Sequence, residues 1–139
     1  MKHEVQGCLQ AVMAAGVPAD SVILVLDEQA RAEQVAARIG ELMPSTVLAS
    51  DSSKSPETQD ALAELSASGR ADVVVTWDRA REAARAVRRG GVVCVGTVGA
   101  EMPSVTEVVQ REVVLVGSGR WEPSSRDRHP ISSNYGKGD

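Results

Sequence analysis

Phenylalanine is absent from this 139-residue chain, and aromatic residues make up only 2% of it. A core without large rings has to be built from Val, Ala, Leu and Ile, which suits close packing of helices on a sheet. Cysteine is scarce as well. Cys8 and Cys94 are far apart, no second Cys or His stands at ligand spacing from either, and Cys94 lies inside an apolar run. This excludes a disulfide framework and a structural zinc site, and reads as two small core residues in a reducing compartment. No surplus of positive charge is present: the formal net charge is -4, whereas affinity for a phosphate backbone or an anionic membrane needs uncompensated cations. No apolar run approaches the roughly 18 residues of a membrane span, and the start Met1-Lys2-His3-Glu4 carries no apolar signal segment. The expectation is a cytoplasmic protein with no membrane partner, no nucleic acid and no metal.

What is present in abundance is short β-branched runs separated by segments of helical period. The clearest is Ala71-Asp72-Val73-Val74-Val75-Thr76-Trp77, then an Ala- and Arg-rich stretch to Arg89, then Gly90-Gly91-Val92-Val93-Cys94-Val95-Gly96-Thr97. A strand, a helix and a second strand in this order build a parallel sheet by a right-handed crossover. Both strands then end on one rim, where open α/β sheets hold their ligands.

The remaining chain repeats the pattern. Leu9, Val12 and Met13 share one helical face after a polar stub from Lys2 to Gln6, and Gly16 followed by Pro18 is a stop signal. Residues 21–26 form an apolar run ending at Asp27, with helical spacing from Glu28 to Leu42. Residues 46–50 read as a strand, Pro56 to Ser66 as a helix, Pro103 to Arg111 as a short helix, and 112–117 as a fifth strand. Continuous apolar runs demand burial on both faces. The fold class is therefore α/β, a three-layer Rossmann-like or flavodoxin-like parallel sheet of about five strands with helices on both faces. Residues 1–119 make the domain. Residues 120–139 are a polar C-terminal tail in which Trp121, Ile131 and Tyr135 are the candidate anchors.

The segments from Gly69 to Val75, Ala83 to Gly96 and Val108 to Ser118, together with Val22 to Gly40, resemble the cofactor domain of medium-chain, alcohol-dehydrogenase-like oxidoreductases. The resemblance implies a Rossmann-like fold, NAD or NADP as cofactor, and Asp27 as the acid that accepts the adenosine ribose hydroxyls. It also implies pairing of two domains through the strand matching residues 112–116, hence a homodimer or a partner subunit. The departures are as informative. In that family a strand ending in G-x-G-x-x-G precedes the first helix and seats the pyrophosphate. Here Gly7 is at best the last of those glycines, and no counterpart of the catalytic domain is evident.

The order 3-2-1-4-5-6 loses its central strand when the first is missing, and two unpaired edges in mid-sheet have to be closed. Direct closure gives 2-1-3-4-5, the flavodoxin-like order; alternatively the stub, the tail or another subunit fills the gap. That order also resembles receiver domains of two-component signalling, through Asp27, Glu28, Asp78 and Thr97. Ser118 and Gly119, however, stand where such a domain has its Lys, and Asp78 reads equally as a helix cap.

Gly7, Asp27, Thr76, Gly96, Thr97 and Ser118 are thus the candidate cofactor-binding residues, with Asp27 open to a second role as helix cap and Trp77 able to stack on a planar ligand or to cover the sheet edge. No catalytic residue is nominated: His3 and His129 have no Asp, Ser or Cys nearby to suggest a triad. Two functions stand side by side. One is a nucleotide-binding domain of dehydrogenase ancestry, not catalytic alone and an oxidoreductase if catalytic at all. The other is a non-catalytic accessory or scaffold subunit.

Overall fold

A computed structural model of the chain describes residues 2–97 and 101–117. In it helices and strands alternate: α1 (Lys2–Ala15), β1 (Val22–Leu26), α2 (Gln29–Leu42), β2 (Thr46–Ser50), α3 (Pro56–Leu65), β3 (Ala71–Thr76), α4 (Ala80–Ala86), β4 (Val87–Val95), α5 (Val105–Arg111) and β5 (Val114–Gly117). The strands form one sheet in the order β2-β1-β3-β4-β5, and every neighbouring pair is parallel. The expected α/β class and the direct closure to five strands are both present. Tail residues 120–139, with Trp121, His129, Ile131 and Tyr135, lie outside the described residues.

The two-residue period of a strand divides each apolar run between two cores. Ile23, Val25, Val73, Val75 and Cys94 point to the face covered by Cys8, Leu9 and Val12 of α1 and by Val35 and Ile39 of α2. Leu24, Leu26, Val74, Val93 and Val95 point to the opposite face, under Leu62 of α3 and Ala80 and Ala83 of α4. Both layers need a helix, which is why the runs show no polar alternation. Small residues on α4 let it sit close to the sheet. The helix α1 packs against β3, β4 and β5 and beside α2, covering a half of the sheet that α2 does not reach.

Three boundaries differ from those read in the sequence. The stub from Lys2 to Gln6 is the first part of α1, because Val5 continues the buried stripe of Leu9 and Val12. It therefore fills no gap in the sheet, and β1 pairs β3 directly through Ile23↔Val73, Leu24↔Val74 and Val25↔Val75. The helix expected to reach Arg89 stops at Ala86, and β4 starts at Val87, opposite Ala71. Burying Val87 against β3 outweighs one more exposed turn of helix. At the other end, Glu112 takes a left-handed conformation with φ 57° and closes α5, so that Val113 is buried ahead of the strand and β5 begins at Val114, not residue 112.

β4 makes an excursion after its first residue, advancing from Val87 to Val92 while β3 advances only from Ala71 to Val73. Gly90 turns the chain back with φ 75°, and Gly91 passes so close to the sheet that a Cβ there would stand 2.5 Å from Val87 Cγ2 and 2.8 Å from the Asp72 carbonyl oxygen. Asp72 holds this end together. One carboxylate oxygen accepts from Arg88 Nε at 2.8 Å, and the other accepts from the Val22 amide at 2.9 Å. Gly91→Ala is expected to cost about 1–3 kcal/mol through overpacking, read as a lowered urea midpoint with unchanged slope, whereas Gly40→Ala, which meets open space, should be neutral or stabilising.

Candidate functional site

The strand order reverses between β1 and β3, and their carboxyl ends meet at Asp27 and Trp77. This is the switch point at which an open parallel sheet offers a crevice. Asp27 is 1% exposed. Its Oδ1 accepts from the Glu28 amide at 2.9 Å and from Arg31 Nη1 at 2.8 Å, and its Oδ2 accepts from the Trp77 amide at 3.2 Å. Arg31 reaches on to Glu4 in the first turn of α1, at 3.3 Å. The buried carboxylate thus joins β1, α2, β3 and, through Arg31, α1. The cap of α2 is the neighbouring Glu28, whose side chain accepts from the Arg31 amide at 3.3 Å; Asp27 lies one residue before it.

Trp77, the large ring of this rim, is 9% exposed and belongs to the core between the sheet and α1. It meets His3 edge-on, with ring centroids 5.7 Å apart. Its ring lies across the backbone of Gly96: a Cβ on that residue would stand 2.2 Å from the ring. Gly96 is therefore glycine because Trp77 occupies the space. The Gly96 amide donates to the Thr76 carbonyl at 2.9 Å and the Thr97 amide to the Trp77 carbonyl at 2.8 Å, so the β3–β4 ladder continues beyond the strand ends. Thr76 is buried, and its hydroxyl accepts from the Arg79 amide at 3.0 Å.

The candidates Asp27, Thr76, Gly96 and Thr97 accordingly come together at one rim. Gly7 does not join them, since it is buried inside α1. Ser118 lies outside the described residues. Asp78 is exposed and caps nothing by its side chain; the N-cap position of α4 is Arg79, without a side-chain hydrogen bond.

Next to the Asp27–Trp77 junction opens a cleft of about 660 Å³ lined by Asp27, Glu28, Arg31, Asp78, Arg79, Glu82 and Glu101. Five carboxylates face two guanidinium groups, and Arg31 already serves Asp27 and Glu4. Arg79 donates to the Asp51 carbonyl at 2.9 Å, and Glu82 accepts from the Ser53 amide and hydroxyl at 3.0 and 2.9 Å. Most of this lining was not found from the sequence, because Glu82 and Glu101 reach the rim only through tertiary packing. Arg31 was findable, standing four residues after Asp27 on one helix face.

Among the described residues no group of three His, Cys, Asp or Glu side chains is placed to hold a metal ion, and no helix is long and apolar enough to cross a membrane. Both thiols are buried. Desolvation pushes the Cys94 thiol up to about 12, and desolvation followed by the Asp27 charge pushes Cys8 higher still, so neither is set up as a nucleophile. No family model matches the chain, and no curated protein matches it either.

Removing the Asp27 carboxylate orphans the Trp77 amide and takes from Arg31 its nearer partner. Asp27→Ala is expected to lower stability by about 3–5 kcal/mol, measured by urea unfolding. A loss below about 1 kcal/mol would show that this carboxylate is not a structural tie.

Proposed function

We propose that the chain is a non-catalytic Rossmann-like subunit that works through protein contacts at its β5 edge, with a second copy of itself as the partner. The observation that carries this reading is apolar exposure at one end of the sheet. Val114 and Leu115 of β5 are 50% and 37% exposed, and Val105 and Val109 of α5, four residues apart on one helix face, are 80% and 67% exposed. A sheet edge with unpaired backbone groups and aliphatic side chains is a template for another strand. Two such edges meeting about a two-fold axis pair antiparallel and continue the sheet from one chain to the other. The resemblance to the dehydrogenase cofactor domain supports the same strand as the interface. Leu115→Lys is expected to leave a folded monomer where the wild type is a dimer, as read by light scattering. A wild type that stays monomeric across micromolar concentrations would overturn the reading.

Dinucleotide binding at the switch point is the second reading, favoured by the position of Asp27 beside a cleft of nucleotide size. Two features oppose it. The carboxylate that would accept ribose hydroxyls already accepts three hydrogen bonds from the protein, and the lining carries three more negative than positive groups. A pyrophosphate would enter against that field. The first turn of α1, whose positive end would receive it, already carries Glu4. Calorimetry with NADH should show no saturable heat, and the purified chain should turn over no NAD(P)H with simple alcohols, aldehydes or quinones. Saturable binding would restore the nucleotide reading.

A further inference from the structure

A second cleft, of about 390 Å³, opens between α3 and α4 on the sheet face opposite α1 and α2. Its chemistry is the reverse of the switch-point cleft. Lys54, at the entrance to α3, Arg70, at the start of β3, and Arg85, near the end of α4, line it together with the hydroxyls of Ser53 and Ser68, and no carboxylate is part of the lining. Leu62 supplies an apolar floor. In a chain of net charge -4, three cations converging on one concave surface are not the background composition.

The available counter-charges neutralise Arg85 and leave Lys54 and Arg70 uncompensated. Among the described residues, neither Lys54 nor Arg70 is paired with a carboxylate. Arg70 donates to the Arg85 carbonyl oxygen at the end of α4, which holds its guanidinium across the mouth of the cleft. Arg85 alone has an acidic partner, Glu107, at 2.8 Å. That acid is committed to the capping box of α5 as well, and its carboxyl is held below the ordinary range by the Arg85 hydrogen bond and the Ser104 amide. Glu82 touches the lining too, accepting from the Ser53 amide and hydroxyl on the side of the switch-point cleft.

We propose that this cleft is a binding site for a phosphate group, either inorganic phosphate or a small phosphomonoester. Two guanidinium groups and an ammonium lining one concave surface supply the charge-assisted donors that a phosphate dianion takes, and the Ser53 and Ser68 hydroxyls, whose protons go to Glu82 and to the Arg70 carbonyl, would have to turn to join them. At about 390 Å³ the cleft lies toward the lower end of the volumes of small-molecule sites, which leaves room for a phosphate and, over Leu62, for a small organic body. The proposal is independent of the dimer reading, because the cleft and the β5 edge share no residue.

The test is an amide NMR titration of the full chain with inorganic phosphate and with adenosine monophosphate, at constant ionic strength set by chloride. Saturating shifts confined to residues 53–54, 68–70 and 85–86 are expected. Lys54→Gln is expected to weaken binding about tenfold, the equivalent of one lost charge-assisted contact. Arg70→Gln should weaken it further, and Lys54→Gln keeps the test decisive if loss of Arg70 loosens α4. Arg38→Gln, which breaks an exposed pair on α2, should leave binding unchanged. Adenosine monophosphate binding tighter than phosphate would support the site with an organic phosphomonoester as its ligand; equal affinities would support it with phosphate itself. Shifts that do not saturate, that spread over surface cations generally, or that persist unchanged in Lys54→Gln mean an adventitious ion only, and overturn the proposal.

Discussion

The pairing of β1 with β3 is the constraint on which everything else in this fold depends. These are the strands between which the chain direction across the sheet reverses, and in a six-stranded Rossmann order a further strand would stand between them. Here two aspartates tie them, one at each end. Asp72, on β3, accepts the first amide of β1; Asp27, after β1, accepts the first amide beyond β3. The register Ile23↔Val73 to Val25↔Val75 lies between these two ties. A slip by one residue would send Val73 and Val75 to the wrong face and leave both carboxylates without their amide partners, one of them buried. The cost of burying Asp27 is thereby converted into specificity of register, since its charge is met by Arg31 and by two backbone donors in this alignment.

From that pairing the rim follows. Once Thr76 and Trp77 are brought beside Leu26 and Asp27, the indole has to go to one face, and it goes to the α1 side, where Gly96 leaves space for it and His3 closes its edge. The large ring of an aromatic-poor chain is spent on closing the crevice between strand ends. Carboxylates are left to line what remains open. The positions at which an open parallel sheet offers a crevice are occupied here by groups that hold the strands together.

Much of this was legible in the sequence, for a physical reason. Runs such as Val22 to Leu26 and Val73 to Val75 are buried on both faces, so their composition alone identifies them as central parallel strands. Their order was legible only as one alternative among several, direct closure beside a slot filled by the stub, the tail or another chain, and direct closure is what the sheet shows. What was not legible depended on contacts between distant segments. Nothing local distinguishes Val87-Arg88-Arg89 from a further turn of α4; the pairing of Val87 with Ala71 decides it. The polar stub was misleading because only Val5 and Cys8 show the buried stripe there. Gly96 was readable only as a candidate binding residue of the rim; that its Cβ space is taken by the indole of Trp77 depends on tertiary packing.

The charge pattern teaches the same lesson at a larger scale. A net charge of -4 speaks to solubility and to long-range steering, but at physiological ionic strength screening cuts off interactions between exposed groups beyond about 8 Å. A ligand in a cleft feels its lining and little else. The carboxyl rim and the α3–α4 cleft differ in sign because each gathers its side chains from several elements brought together by the crossovers. Glu28 caps α2 and Glu82 lies in the first turn of α4, where the helix dipole favours acids, and Arg85 lies in the last turn of α4, where it favours bases. The dipole does not account for the rest: Lys54 stands at the entrance to α3, Arg31 and Arg79 stand at the starts of α2 and α4, and Arg70 belongs to no helix. The difference in sign between the two clefts thus follows from which side chains the tertiary packing brings to each, and a domain of net charge -4 presents a basic cleft as well as an acidic one.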